Sequence, residues 1–337
     1  MRSAITEFLM RSCGLVIAAL GVSLAPGVLH AQSGSHSNEA PPQAAEVGYT
    51  RNTFATHLRE ADIDLQDIAR PGFKWYLRGN FGNRSSSAKG LTFNTDGSLT
   101  INGGSMWTAA LTESPPKWPA KWTGIAFGGG GYFEAELKFN PDDTILGKTP
   151  WWPSFWSIAV EHFARLKEEQ WPGMPPGYVH YTEVDFFELG KGWWAPPKCC
   201  YAGTINDWYG IWNQTCKKGF CVRNNNLSGQ TKFKNFRISY PPQIDFNEYH
   251  RYGLLWVPAT DTSPGYAQYY FDGKPTSDRV TWTKFSDQPP PPGDAPWTFG
   301  ILDKQHLVVT VGSGKDQPLT IRAINVWQSS NDKNLVH

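Results

Sequence analysis

The sequence predicts an all-β fold, a sandwich or jelly roll of antiparallel strands. Three observations predict it: short segments that alternate apolar and polar residues, Gly/Pro-rich turns between them, and no sustained helical periodicity. The clearest segment is GYFEAELKFN. Phe133, Ala135, Leu137 and Phe139 alternate there with Tyr132, Glu134, Glu136 and Lys138, giving one apolar and one polar face. WPSFWSIAV, from Trp152 to Val160, reads as a buried strand. HRYGLLWV (250–257) and YAQYYFDGK (266–274) follow, the second ending in an Asp272-Gly273 turn. HLVVTV (306–311) and LTIRAINVW (319–327) are the last strands. The four glycines at 128–131 lack the Lys-Ser/Thr of a phosphate loop and read as a tight turn into the next strand. Short helices are expected at 57–69 and 164–170.

A chain of 337 residues is long enough for one large domain or two small ones. No second linker interrupts 50–328, so that span is read as one domain. Residues 1–31 read as a secretory signal: Arg2 and Arg11 flank its start, Cys13 to Leu24 is apolar and small, and Ala31 closes a cleavage site. The apolar run is shorter than the ~20 residues of a membrane span, and no later stretch qualifies. A secreted or periplasmic protein is therefore expected. Residues 32–49, rich in Ser, Pro, Ala and Gln, read as a flexible leader, and 329–337 as a frayed polar tail. A net charge of +1 without a Lys/Arg run argues against nucleic acid or an acidic membrane as partner.

Without Cys13, the chain keeps Cys199, Cys200, Cys216 and Cys221, an even number for an oxidising compartment. Disulfides are expected, with three connectivities open. A metal site is the alternative, but no His lies among these cysteines. The chain also holds 16 Trp. Many of them sit in Gly/Pro-rich loops, a placement that suits stacking on the C–H faces of sugar rings better than core packing.

The chemistry concentrates in HYTEVDFFELG (180–190), with three carboxylates in six residues: Glu183, Asp185 and Glu188. In a regular strand Glu183 and Asp185 share a face, but Glu188 has the wrong parity and would point into the core. Phe187 and Leu189 would then be exposed beside the acids, and a carboxylate would be buried, which is unfavourable. One β-bulge at Phe186 or Phe187 resets the parity and puts all three acids on one surface. Acids this close repel, which spreads their pKa values and keeps one protonated near neutrality. Glycoside hydrolysis needs that pairing, with one carboxylate attacking the anomeric carbon and a neighbouring acid protonating the leaving oxygen. A solvated strand face or a calcium site would also present such acids.

EVDFFE matches the E-x-D-x-x-E signature, in its bulged form, of glycoside hydrolase family 16. GYFEAELKFN, WWPSFW, EYHRYGLLW, YYFDGK and AINVWQ resemble the flanking segments of that family in the same order. The chain therefore resembles the laminarinase-like endo-glycanases of that family over about 131–328. The resemblance implies a concanavalin A-like β-jelly-roll sandwich of two antiparallel sheets. It implies Glu183 as nucleophile, Asp185 as assisting acid, Glu188 as general acid/base, and net retention at the anomeric carbon. It implies an aromatic cleft, with Trp152 at its lining. Trp193 and Trp194, just after Glu188 in a Gly/Pro loop, are further stacking candidates. Trp156 reads equally as core or cleft, and Trp208 as substrate contact or loop packing. No cofactor is required. A structural calcium on the convex face is common in the family, but its ligands are not identifiable here.

The chain departs from the pattern in its elaborated loop at 192–226, and at Asn206, Asp207 and Trp208, where many members carry a His. These departures bear on substrate. The expected function is secreted, retaining endo-β-glycanase action on β-1,3- or β-1,3-1,4-glucan. The alternatives are a galactan (agar- or carrageenan-type) hydrolase, a transglycosylase, or a non-catalytic lectin-like glucan binder. The partner is a polysaccharide, and a monomer is expected.

Overall fold

Alternating sequence becomes strand, and the sheets then bury their apolar faces against each other. The structure is a computed structural model. It describes residues 39–79, 86–113, 117, 119–146, 151–164, 178–189, 200–211, 231–239, 244–285 and 299–337. The chain begins with α1 (Pro42–Ala45), β1 (Arg51–Thr56), β2 (Ile63–Asp64), β3 (Trp75–Tyr76), β4 (Leu91–Phe93) and β5 (Leu99–Ile101). Next come β6 (Gly104–Trp107), β7 (Ala109–Leu111), β8 (Trp122–Ala126), β9 (Gly131–Phe139) and α2 (Pro141–Leu146). The middle holds β10 (Ser154–Ala159), α3 (Val160–Phe163), β11 (Tyr178–Glu188), β12 (Cys200–Ile211) and β13 (Thr231–Ser239). β14 (His250–Val257), β15 (Gly265–Phe271), β16 (Lys274–Pro275) and β17 (Val280–Trp282) precede β18 (Leu307–Ser313), β19 (Leu319–Gln328) and β20 (Leu335–Val336).

Two sheets make an all-β jelly-roll sandwich. The front sheet runs β13-β12-β11-β10-β18-β6-β3-β2; the back sheet runs β16-β15-β14-β9-β19-β5-β4, with β1 added on β19 and β17 on β15. β2 and β3 pair in parallel. The pairings that carry the sheets, such as β11–β12 and β9–β19, are antiparallel. Phe133, Ala135 and Leu137 of β9 meet Val184, Phe186 and Phe187 of β11 in one core cluster. Phe133 stacks on Phe186 at 5.2 Å, and Phe187 packs on Phe139 and Tyr252. The glycine turn forms as expected: Gly129 and Gly130 have φ of 73° and 87°, and a Cβ on Gly130 would lie 2.2 Å from the Tyr49 hydroxyl.

Several sequence expectations need correction. The 57–69 helix is instead one 3-10 turn at Glu60–Asp62 followed by β2. Positive φ at Leu58, Asp67 and Ala69 breaks any helix there, and the Asp64 carboxylate accepts from the N–H groups of Ile68 and Ala69. Near 164–170, α3 ends at Phe163, and 165–170 lies outside the described residues. Part of the expected flexible leader is folded: Ala44 and Tyr49 pack with Tyr132, Leu255, Tyr270 and Trp327. The expected frayed tail is ordered too, because Leu335 and Val336 pair with Ala126 and Ile125, forming a small sheet β20-β8-β7.

The N-terminal segment bears on the polar face of β9. Glu136 pairs with Arg322 at 2.6 Å, as a charged strand face should. Glu134 does not behave as a solvated or salt-bridged surface acid. It is buried and accepts from the Tyr132 hydroxyl at 2.9 Å. Burial raises its pKa to about 7, despite the lowering effects of Arg251 and Tyr132. The folded state therefore holds this proton at a pH where the unfolded chain has already lost it. Stability from this group is full below the ordinary glutamate range, declines as pH rises toward 7, and stays low above that. Glu134→Gln should therefore leave stability unchanged at pH 4 and raise it by about 2–3 kcal/mol at pH 8. Urea denaturation at the two pH values measures this difference.

Candidate active site

The front sheet positions the acids through one irregularity in β11. Against β10, Phe155 opposes Phe187 while the next residue, Trp156, opposes Asp185. Against β12, Asp185 opposes Thr204 while Glu188 opposes Ala202, so three steps on β11 match two on β12. One extra residue is thus accommodated at Phe186–Phe187, the bulge that the acid spacing demands. Val184, Phe186, Phe187 and Leu189 all enter the core cluster. Glu183, Asp185 and Glu188 share the opposite surface. Asp185 is buried, and Glu183 and Glu188 are mostly buried at its two sides.

Few donors serve these oxygens. The Asn206 amide nitrogen donates to Glu183 Oε1 at 2.9 Å and to Asp185 Oδ2 at 3.2 Å. The Trp152 indole N–H donates to Glu188 Oε1 at 3.1 Å. The segment carrying Trp152 is tied to the end of β11, where Leu189 N–H donates to the Pro153 carbonyl at 3.0 Å. Burial is the leading cause that pushes all three carboxyls up. Glu183 rises to about 7, moderated by the hydrogen bond from Asn206. Glu188 rises to about 8, helped by the charge of Glu183 and opposed by Trp152. Asp185 is raised well above the carboxylate range by burial and then by Glu188 and Glu183. The three titrate as one set. Glu183, which takes the shorter of the two Asn206 bonds, is the group best able to be ionised while its neighbours keep protons.

The aromatic residues form a band across the strands. Trp156 is half-buried and meets Trp107 of β6 edge-on at 5.2 Å. Trp208 lies opposite Tyr181 in the β11–β12 register, stacks on it at 6.5 Å, and is half-buried as well. His162 of α3 stacks on the other side of this group, 3.6 Å from the Tyr181 ring. Trp208, Glu183, Asp185 and Trp156 therefore succeed one another on β12, β11 and β10, and Trp107 lies beyond Thr310 of β18 on β6. Trp107 and Tyr181 are buried in a second core cluster, so a polymer lying across the strands would meet Trp156 and Trp208, the partly exposed rings packed on that cluster.

With that geometry in hand, comparison with other proteins gives the following. No family model matches the chain, and no curated protein matches its sequence. Among solved structures, the endo-1,3-β-glucanase of Streptomyces sioyaensis is similar at 16% identity and TM-score 0.46, over 89% of this chain and all of that one. The laminarinase catalytic domain of Thermotoga maritima shares 13% identity at TM-score 0.33, over 73% of this chain and 82% of that one. The endo-β-1,3-glucanase of Pyrococcus furiosus shares 13% identity at TM-score 0.34, over 72% and 80%. Likeness this distant decides neither activity nor substrate, which rest on the side chains.

Of the residues singled out from sequence, Glu183, Asp185, Glu188, Trp152, Trp156 and Trp208 converge on one surface. Trp193, Trp194, Cys199, Cys216 and Cys221 lie outside the described residues, as do 1–38 with the signal sequence. Cys200 is placed at the start of β12 opposite Ser239, and its side chain is not described. Among the described residues, no group of three or more His, Cys, Asp or Glu could hold a metal ion, the acid trio included. No helix among the described residues is long and apolar enough to cross a membrane. Sequence reasoning missed the buried support for these rings: Trp107 and Tyr181 lie in a second core cluster on which Trp156 and Trp208 pack. Its signal was present, since Met106-Trp107 puts an apolar residue on each face of β6, with Met106 in the main cluster and Trp107 in the second.

Proposed function

We propose that this protein is a retaining endo-β-glycanase, secreted or periplasmic, that cleaves a polysaccharide lying across the front sheet. The observation that carries the reading is the bulged β11, which gathers three raised carboxyls beside an aromatic band. Glu183 is the nucleophile, because it holds the best-supported negative charge. Glu188 is the acid/base: it keeps its proton to a higher pH, and the Trp152 indole holds its other function, the acceptor oxygen, in place. Asp185 assists from between them.

In the first step, Glu183 forms a bond to the anomeric carbon as the glycosidic C–O bond breaks, and the proton of Glu188 passes to the leaving oxygen. In the second, Glu188 takes a proton from water, whose oxygen bonds to the anomeric carbon as Glu183 departs as carboxylate. Two inversions give net retention. The partly exposed Trp152, Trp156 and Trp208 around the acids suit stacking on sugar rings, and β-1,3- or β-1,3-1,4-glucan is the substrate proposed.

Reducing ends released from a panel of β-glucans, agar and carrageenan test the function. Release from a β-glucan supports the proposal. Release from a galactan alone keeps the chemistry and replaces the substrate; binding of a polymer without release puts a lectin-like role in its place. The pH dependence follows from the same groups. Activity requires Glu183 ionised and Glu188 protonated, so kcat/KM should fall on the acid side as Glu183 gains its proton and on the alkaline side as Glu188 loses its own. The expected profile is a bell displaced toward alkaline pH, because burial raises both carboxyls. Ordinary carboxyls would place it two or more pH units lower.

A further inference from the structure

We propose that Asn206 is a positioning residue that decides which carboxyl of the trio carries the negative charge, holding Glu183 ionised and leaving the proton on Asp185. The inference rests on the roles proposed above for Glu183 and Glu188. Asn206 stands directly opposite Glu183 in the β11–β12 register, and Asp185 stands opposite Thr204, one pleat further along the same face. The amide therefore reaches straight across to Glu183 and diagonally to Asp185, at 2.9 and 3.2 Å.

Its orientation is fixed by chemistry. An ionised carboxylate only accepts, so the amide must turn its NH2 group, with two hydrogens, toward the acids. The side chain is almost fully buried, which strengthens these bonds and excludes water as a substitute donor. The two acids are not served equally. Glu183 takes the shorter bond, from the residue directly opposite it in the register. Asp185 takes the longer bond and faces two other carboxyls. Charge on Glu183 with a proton on Asp185 leaves the better-served carboxyl ionised and removes the repulsion between the two. An amide does not titrate, so the bias persists across the working pH range. A histidine in its place would add a titrating group to the site, whereas Asn206 leaves the carboxyls to set the pH profile alone.

The test compares wild type with Asn206→Leu and Asn206→Asp. Both variants lose the N–H donors, and the second keeps the side-chain shape should the first not fold. Two readouts are needed: the pH profile of kcat and KM on the responding polymer, and the titration of 13C-labelled glutamate carboxyls by NMR. The expected result is an acid limb moved up by about one pH unit in Asn206→Leu, and further in Asn206→Asp, which adds a like charge. At the wild-type optimum kcat should drop roughly ten- to a hundredfold, the worth of a hydrogen bond to a charged group, with KM within about twofold. In NMR the Glu183 carboxyl should titrate at higher pH in both variants. An unmoved Glu183 titration in both, or a KM effect without a shifted acid limb, overturns the proposal. If the wild-type protein cleaves no polymer, the glycanase reading falls, while the NMR titration still judges Asn206.

Discussion

Glu183→Gln should abolish polysaccharide cleavage, lowering kcat by on the order of 10⁴-fold or more, as removal of a covalent nucleophile does. The substitution is nearly isosteric. It removes an ionisable group whose pKa burial has raised, so the folded variant should be at least as stable as wild type above pH 7. A thermal melt run beside the assay separates lost chemistry from lost fold. The variant has a second signature. The charge of Glu183 is, after burial, what raises Glu188, so without it Glu188 should titrate below its wild-type value of about 8. Polymer binding should survive, because Trp152, Trp156 and Trp208 are untouched. A variant that cleaves like wild type would remove the active site from β11.

Glu188→Gln should act on proton transfer alone. General acid–base catalysis contributes roughly 10²–10⁴-fold, and kcat on polymer should fall by that amount. The loss is selective. An aryl glycoside with a good leaving group needs no protonation, so formation of the glycosyl-enzyme should stay fast on such a substrate. Breakdown then lacks its base, the intermediate accumulates, and KM should fall with kcat. Added azide, an anion that needs no deprotonation, should restore turnover and give a β-glycosyl azide. Steady-state kinetics with and without azide checks this. Azide rescue in Glu183→Gln but not in Glu188→Gln would mean that the two roles are exchanged.

The acid trio was legible because it is a matter of parity within one strand. EVDFFE cannot keep both its phenylalanines inside and its acids outside without an extra residue, and the register shift at Phe186–Phe187 supplies one. β9 and β14 were legible for the same local reason, with β14 spanning the residues that the alternation marks. What escaped depends on partners distant in sequence. Leu335 and Val336 look like a polar tail until they meet β8, more than two hundred residues earlier. Ala44 and Tyr49 sit in a composition typical of linkers, yet they pack against Tyr132 and Trp327. Glu134 follows the period of an exposed face and is buried all the same. The double donation by Asn206 required the register of β12 against β11, which no single-strand pattern contains. The 57–69 helix failed because residues other than glycine adopt positive φ there to let Asp64 gather backbone N–H groups.

Glu183 is expected to form a covalent bond to the sugar. The measurement that tests it most directly uses a 2-deoxy-2-fluoro glycoside, with an activated leaving group, of the sugar that the polymer panel identifies. The fluorine slows both steps, and the good leaving group lets the first proceed, so the intermediate is trapped. The protein mass should rise by one fluoroglycosyl unit, and proteolytic mapping should place it on Glu183, with no adduct in Glu183→Gln. An adduct on Asp185 or Glu188, or polymer cleavage whose first product has the inverted anomeric configuration, would contradict the account.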